Sequence, residues 1–477
     1  MTRRVRANPG TGAKGESKRA PGKWIPVLFA AFCLSSACGG PTPQSQALAP
    51  GSAQGAPDET PESLTTAALT APSPELIRAL RARGQSGLDA LLARTGKNPS
   101  ASERSTIAKV AGQLDADVSH LFWHTDLSEA VLQAQRENKP ILSLRMLGRL
   151  DEELSCANSR LFRTTLYPDA RVSRLLRERF VLHWSSERKV PRITIDYRDG
   201  RSLVSTITGN SIHYVMDKRG RVVDALPGLY AAEDFAHELA SLEPVARAAG
   251  DDDDASWRVR VRSHHDLALV RTVQQLRTTL LAAGRDADAA AVLAAPSVVV
   301  RAPAGKPLPP PSARAAVPIA ITKAAMEAPV LRRTAPRPVP NLEPLDGKLD
   351  RDGLWQELAR ARQNDIAFDA SVLAVIRRKT PVTWTKSDGS VAPAKGPALA
   401  RMLDVLKLHI AEDTLRNELV LRRRIHGWLT QEPQTFSALN RRVYSDLFLT
   451  PASDPWLGLL PQDVFSALPH GGVKEAR

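Results

Sequence analysis

The sequence predicts an α/β/α sandwich followed by a mainly α-helical C-terminal domain, and three observations carry that expectation. Between His120 and about Leu242, short apolar runs alternate with helical periodicity. Two turn signals, Arg198-Asp199-Gly200-Arg201 and Asp217-Lys218-Arg219-Gly220, each separate two such runs as in a hairpin. From about Asp350 to Leu468 apolar residues recur at helical spacing. A chain of 477 residues exceeds one ordinary core, so several folded units joined by linkers are expected.

The N-terminus comes first. Arg3, Arg4, Arg6, Lys14, Lys18, Arg19 and Lys23 precede an apolar run from Trp24 to Ala37. This is a positive n-region followed by a signal-type h-region, too short to span a bilayer, which takes roughly 20 residues. The run ends in Leu34-Ser35-Ser36-Ala37-Cys38-Gly39, which resembles the lipobox of bacterial lipoproteins, with Leu34 one place further from the cysteine than usual. The resemblance implies acylation of Cys38 and export to the cell envelope, anchored to a membrane and facing the periplasm. Ordinary signal cleavage that leaves Cys38 free is the alternative. The formal charge is +14. Setting residues 1 to 38 aside leaves 58 Lys and Arg against 50 Asp and Glu, a balance of +8. That balance is spread along Arg-rich helices, so a solvated surface is expected and no nucleic-acid partner.

Residues 39–73 are rich in Pro, Ser, Gly, Ala and Thr, and are expected to be a disordered tether of roughly 30 Å reach. A helical preface over 74–118 opens at Ser73-Pro74-Glu75, a capping residue with Pro at the first helical position, and continues in a second helix from Ser102 to Val118. The sandwich is expected over 119–245. Its elements are a helix from Ser128 to Glu137, a strand from Ile141 to Leu147, a helical stretch from Asp151 to Arg179 broken near Pro168, and a strand from Phe180 to Trp184. The two hairpins and a helix from Ala231 to Leu242 complete it. Residues 246–345 hold a helix from Trp257 to Leu281 and a linker with ten prolines between Pro303 and Pro340. Within that linker Val317 to Leu331 reads as a docking strand or short helix. The helical C-terminal domain covers 346–477, with helices over Leu354–Arg362, Ala370–Arg378, Leu399–Leu429 and Phe436–Leu447.

Glu137-Asn138-Lys139-Pro140-Ile141, the strand it opens, and Val172-Ser173-Arg174-Leu175-Leu176-Arg177-Glu178-Arg179-Phe180-Val181 carry a family resemblance. Together they resemble a thioredoxin-like branch whose members combine E-N-K-P-I, a C-x-x-C pair and an L-L-N-x-x-F-V segment. The resemblance covers about a quarter of the chain. Aligned through Tyr167, it puts Cys156 on the first cysteine and Ser159 on the second, giving Cys156-Ala157-Asn158-Ser159. Three departures bear on activity. Ser159 cannot resolve a mixed disulfide as a second thiolate would. Ser211-Ile212-His213 stands where a substrate-contacting proline is expected. About five extra residues, Arg149 to Glu153, separate strand from cysteine.

Single-thiol chemistry at Cys156 is what remains, with Arg160 and Arg163 on its helical face favouring thiolate and Asp151, Glu152 and Glu153 opposing it. If the helix starts at Asp151, Cys156 lies more than a turn inside it, off the stripe formed by Leu150, Leu154, Ala157 and Leu161. A reactive thiol and an inert cysteine both stay open. The expected site is therefore Cys156, Ser159 and Arg160, with Cys38 for lipidation and no cofactor or metal. His183 and His213, on strands, are candidate bases. His120 and His124 read as structural, Asp251 to Asp254 as a solvated turn, and His264-His265 as an exposed pair. In the C-terminal domain Glu412, Asp413, Arg416, Asn417 and Glu418 interrupt an apolar stripe; Glu412 with Arg416 reads as a surface pair or, more sharply, as part of a polar cleft. Trp456 is expected to lie on the bundle. Two functional classes follow. One is an envelope thioredoxin-like protein that forms mixed disulfides with envelope proteins or senses oxidants; the other is a non-catalytic binding or assembly module.

Overall fold

A computed structural model describes residues 60–290 except 208 and 287, together with 353–380, 382–385, 391–393, 396–457 and 467–473. The expected signal, Cys38 and the docking segment from Val317 to Leu331 lie outside the described residues.

Four helices form the preface: α1 (Pro61–Thr70), α2 (Pro74–Ala82), α3 (Gln85–Thr95) and α4 (Ala101–Ala111), followed by the single turn α5 (Ala116–Ser119). The sequence explains their starts. Ser73 accepts from the Leu76 N–H ahead of Pro74, and Ser100 and Glu103 form a capping box. Helix α1 corrects the expected tether: Thr60 caps it and Pro61 opens it, and it buries Leu64 and Ala68. The second preface helix also ends earlier than expected, at Gly112, whose φ of +71° suits a left-handed cap. The preface has its own small core of Leu64, Leu80, Leu88, Leu91, Ile107, Val110 and Phe122. A buried hydrogen bond ties it to the sheet, Trp184 Nε1 donating to the Gly112 carbonyl at 2.7 Å, and a half-buried one, from Arg81 Nη2 to the Trp123 carbonyl at 2.9 Å, to the segment before α6.

After α6 (Leu127–Glu137), β1 (Ile141–Leu147) enters the sheet, coincident with the expected strand. The chain then passes through α7 (Ala157–Leu161), a π turn over Phe162–Leu166 and α8 (Ala170–Arg179) to β2 (Val181–Arg188). Because β2 runs parallel to β1, such a crossover is required. The hairpin β3 (Arg192–Asp196) and β4 (Ser202–Thr206) forms a separate two-stranded sheet. Strands β5 (Ser211–Met216) and β6 (Val222–Pro227) follow, giving one sheet of order β2-β1-β5-β6 with β5 antiparallel to both neighbours. Asp217 Oδ1 fixes the β5–β6 turn by accepting from the N–H groups of Arg219 and Arg221. Every residue of β5 and β6 is buried, the mark of a sheet covered on both faces.

Beyond β6 come α9 (Ala232–Ala249), α10 (Asp254–Ala282), α11 (Leu354–Arg362), α12 (Ala370–Lys379), a short hairpin of β7 (Val382–Thr385) and β8 (Val391–Pro393), and α13 (Pro397–Arg416). A π turn over Asn417–Arg422 leads into α14 (Arg423–Gln431); α15 (Phe436–Arg442) runs into a second π turn at Val443–Leu447. Leu226, Leu229, Trp355, Leu415, Leu419 and Ile425 belong to the same apolar core as the sheet, so the C-terminal helices complete the α/β core rather than forming one apart. The Glu412–Arg416 pair is corrected accordingly. Its side chains are 6% and 17% exposed at 3.5 Å separation, so it is not a surface pair. Asn417 Nδ2 donates to the Leu229 carbonyl at 2.7 Å and Thr414 Oγ1 accepts from the Ala231 N–H at 2.8 Å, which uses this polar stretch to bind the loop after β6. Trp456 is exposed and Leu457 is buried in its place.

Candidate functional site

Cys156 is completely buried, which corrects the expectation that it lies off the core. The physical reason is where the helix begins. Residues Asp151 to Ser155 are not helical, α7 starts at Ala157, and Cys156 is its N-cap with extended backbone. The rotation inferred from a helix starting at Asp151 therefore does not apply. A cap residue next to the β1 end is pulled inward: the Cys156 N–H donates to the Leu147 carbonyl at 3.3 Å, and Cys156 joins the core cluster.

Ser159 faces back toward the same turn. Its Oγ lies 2.6 Å from Ser155 Oγ and 3.0 Å from the Cys156 carbonyl oxygen. Burial is the largest influence on the Cys156 thiol and pushes its pKa up, while the Ser159 N–H and hydroxyl, the Leu147 backbone and the Arg160 charge oppose it without prevailing. Arg160 is half-buried on α7. Arg163 is the more deeply placed cation, fully buried, with Nη2 donating to Ser155 Oγ at 3.1 Å and Nε to the Ser159 carbonyl at 3.3 Å. Its Nη1 has no hydrogen-bond partner among the described residues.

Two segments close over this turn. Asn158 Nδ2 donates to the Gly209 carbonyl, and Thr206 Oγ1 donates to the Ser155 carbonyl at 2.8 Å, which draws the β4–β5 loop onto α7. The C-terminal segment then fastens that loop: Asn210 Nδ2 donates to Thr450 Oγ1 at 2.9 Å and Tyr444 Oη to the Asn210 carbonyl at 3.4 Å. Arg188 adds bonds to the Asp454 and Thr450 carbonyls at 2.7 and 3.0 Å.

No protein-family model, curated protein or solved structure matches this chain. The chemistry of the site therefore rests on its own geometry. His183 and His213 do not serve Cys156 as bases through any hydrogen bond among the described residues. His183 Nδ1 lies 2.8 Å from Ser143 Oγ, and His213 Nε2 lies 2.7 Å from Tyr167 Oη. Burial lowers the His183 pKa to about 4 and that of His213 to about 3, so both are neutral packing groups at neutral pH. His120 ends α5, and His124 extends the sheet margin by exchanging backbone hydrogen bonds with Leu182 and Trp184. Asp251, Asp252 and Asp254 engage Lys218, Arg260 and Arg221, and Asp253 caps α10.

The exposed-pair expectation for His264 and His265 is corrected as well. His265 is fully buried and the His264 side chain is only 10% exposed. A signal for this was present in the sequence: Trp257, Val261, His265, Ala268, Thr272, Leu276 and Leu280 form one buried stripe at helical spacing, and His265 lies on it.

Proposed function

We propose that this chain is an exported, lipid-anchored protein with a thioredoxin-like sandwich that acts as a non-catalytic binding or assembly module of the cell envelope. The order β1, helices, parallel β2, then an antiparallel β5–β6 hairpin and a terminal helix supports the thioredoxin-like part. Anchorage rests on the n-region, the h-region and Cys38; among the described residues no helix is long and apolar enough to cross a membrane. One observation carries the non-catalytic reading. Cys156 has no exposed surface, and that same burial raises its thiol pKa. Attack on a disulfide needs an accessible thiolate, and burial works against both the access and the ionisation of this thiol.

The test is alkylation of Cys156 in the native and the denatured protein at one pH. Native protection of roughly 100-fold or more is expected, since attack must wait for local opening. Reaction as fast as in the denatured chain would overturn the non-catalytic reading.

A single-thiol reading, with mixed disulfides to envelope proteins or oxidant sensing, keeps one observation in its favour. Arg163 is a buried cation near Cys156, and its Nη1 lacks a hydrogen-bond partner among the described residues. A thiolate formed on opening of the cover would meet that charge. Trapping of envelope proteins by wild type but not by Cys156→Ser would favour this second reading.

A further inference from the structure

Three imidazoles, three carboxylates and one guanidinium meet where β6, α9, α10, the π turn Asn417–Arg422 and α14 come together. Asp224 on β6 and His265 on α10 are fully buried, and His426 on α14 is 1% exposed. One ligand atom from each lies within 4.8 Å of the others. His265 Nδ1 is 2.8 Å from His426 Nδ1, and His426 Nδ1 is 3.8 Å from Asp224 Oδ1. Donors around a tetrahedral zinc ion, at about 2.0–2.2 Å from the metal, stand roughly 3.3 Å apart. The two observed separations straddle that edge length.

The orientation of each donor is set from outside the cluster. His265 Nε2 lies 3.0 Å from the Val223 carbonyl oxygen, which can only accept, so that nitrogen carries the proton and Nδ1 presents its lone pair inward. A backbone carbonyl holding the far nitrogen is the outer contact that metal-binding imidazoles use. Asp224 is held at its other oxygen: Oδ2 is 2.8 Å from Arg422 Nη2 and 2.9 Å from His264 Nε2, while Oδ1 accepts the Ala225 N–H at 2.6 Å and keeps a lone pair toward His426.

Charge points the same way. Arg422 pairs with Asp224 through Nη2, and through Nη1 with Glu238 at 2.6 Å and Glu418 at 3.0 Å. Three carboxylates share one guanidinium, so acidic groups outnumber cationic ones here, an imbalance that a dication would relieve.

We propose that Asp224, His265 and His426 form a buried site for one divalent transition-metal ion of the zinc class, fastening α10 and α14 to the edge strand β6. Imidazole and carboxylate donors suit zinc and its neighbours rather than calcium or magnesium. The fully buried donors give the ion a structural role. In the metal-free state a hydrogen bond from His426 Nδ1 to His265 Nδ1 would occupy the same gap.

The test uses untagged full-length protein, stripped with a chelator and titrated with Co²⁺. A saturable visible absorption at one equivalent, bleached by Zn²⁺, is expected, together with a higher melting temperature in Zn²⁺. His265→Gln and His426→Gln should each weaken Co²⁺ binding by more than about 100-fold, since ligand loss exceeds the effect of losing an outer contact. Absence of saturable binding by the wild type overturns the proposal, as does undiminished binding by both variants. Should the variants fail to fold, X-ray absorption of the zinc-loaded wild type decides: a shell of two imidazoles with oxygen supports the site, and a shell with sulfur or with oxygen alone overturns it.

Discussion

Asn210 donates from Nδ2 to Thr450 Oγ1 across 2.9 Å, and both residues are buried. Asn210 immediately precedes β5, whose first residues Ser211-Ile212-His213 stand where the thioredoxin-like branch would carry a substrate-contacting proline. The bond therefore joins the C-terminal region to the loop that leads into β5.

Asn210→Ala removes the donor and leaves Thr450 Oγ1 buried without it. The variant should lose about 1–3 kcal/mol in urea denaturation, and native Cys156 should alkylate faster because its cover is loosened. Unchanged stability together with an unchanged alkylation rate would show that the segment does not act as a cover.

Arg422 is buried among Asp224, Glu238 and Glu418. Burial disfavours its charge, yet the three carboxylates hold its pKa well above the ordinary value. Arg422→Met leaves those carboxylates uncompensated and should destabilise the protein by about 3–5 kcal/mol at neutral pH. Much of the loss should return in Arg422→Met/Glu418→Gln, which removes one of the stranded charges. A denaturation midpoint within error of wild type would contradict the buried pairing.

Acid should weaken the fold before the carboxylates titrate. Burial lowers His183 and His265 to about 4 and His213 to about 3. Between these values and about 6.5 the unfolded chain takes up protons that the folded chain does not, so stability falls as pH falls across that window. Each such histidine contributes a slope of about 1.4 kcal/mol per pH unit once the unfolded form is protonated. Denaturation midpoints measured from pH 7 to pH 5 should drop, and His213→Phe should flatten the drop. A midpoint constant over that range would mean the buried imidazoles titrate as freely as in the unfolded chain.

Cys38→Ser should move the protein from the membrane fraction to the soluble fraction, if acylation is its anchor. The comparison needs only fractionation and detection of the full chain. Persistent membrane association of the variant would place the anchor elsewhere.

Local chemistry made much of the architecture legible before any coordinates. The strand Ile141–Leu147, the hairpin signals at Asp199-Gly200 and Arg219-Gly220, the Ser73-Pro74 helix start and the helix Leu354–Arg362 all coincide with observed elements. Period, turn residues and caps act over a few positions, and a sequence displays them directly. The helix α1 escaped notice because its short apolar stripe, Leu64 and Ala68, sits in a Pro- and Ser-rich neighbourhood.

Tertiary structure alone decided the chemistry. The turn that holds Cys156 is bonded through Asn158 to Gly209, whose neighbour Asn210 is bonded to Tyr444 and Thr450, all far along the chain from it. Its burial also turns on a helix boundary at Ala157, and Asp151 to Glu153 drew the expected start too early. The periodic stripe of α10 marks His265 as inward-facing, but nothing local brings it to Asp224 and His426. Burial, pKa and ligand geometry are properties of groups gathered from distant segments. They arise only when β6, α10 and α14 pack together, because desolvation and short-range charge act through space and not along the chain.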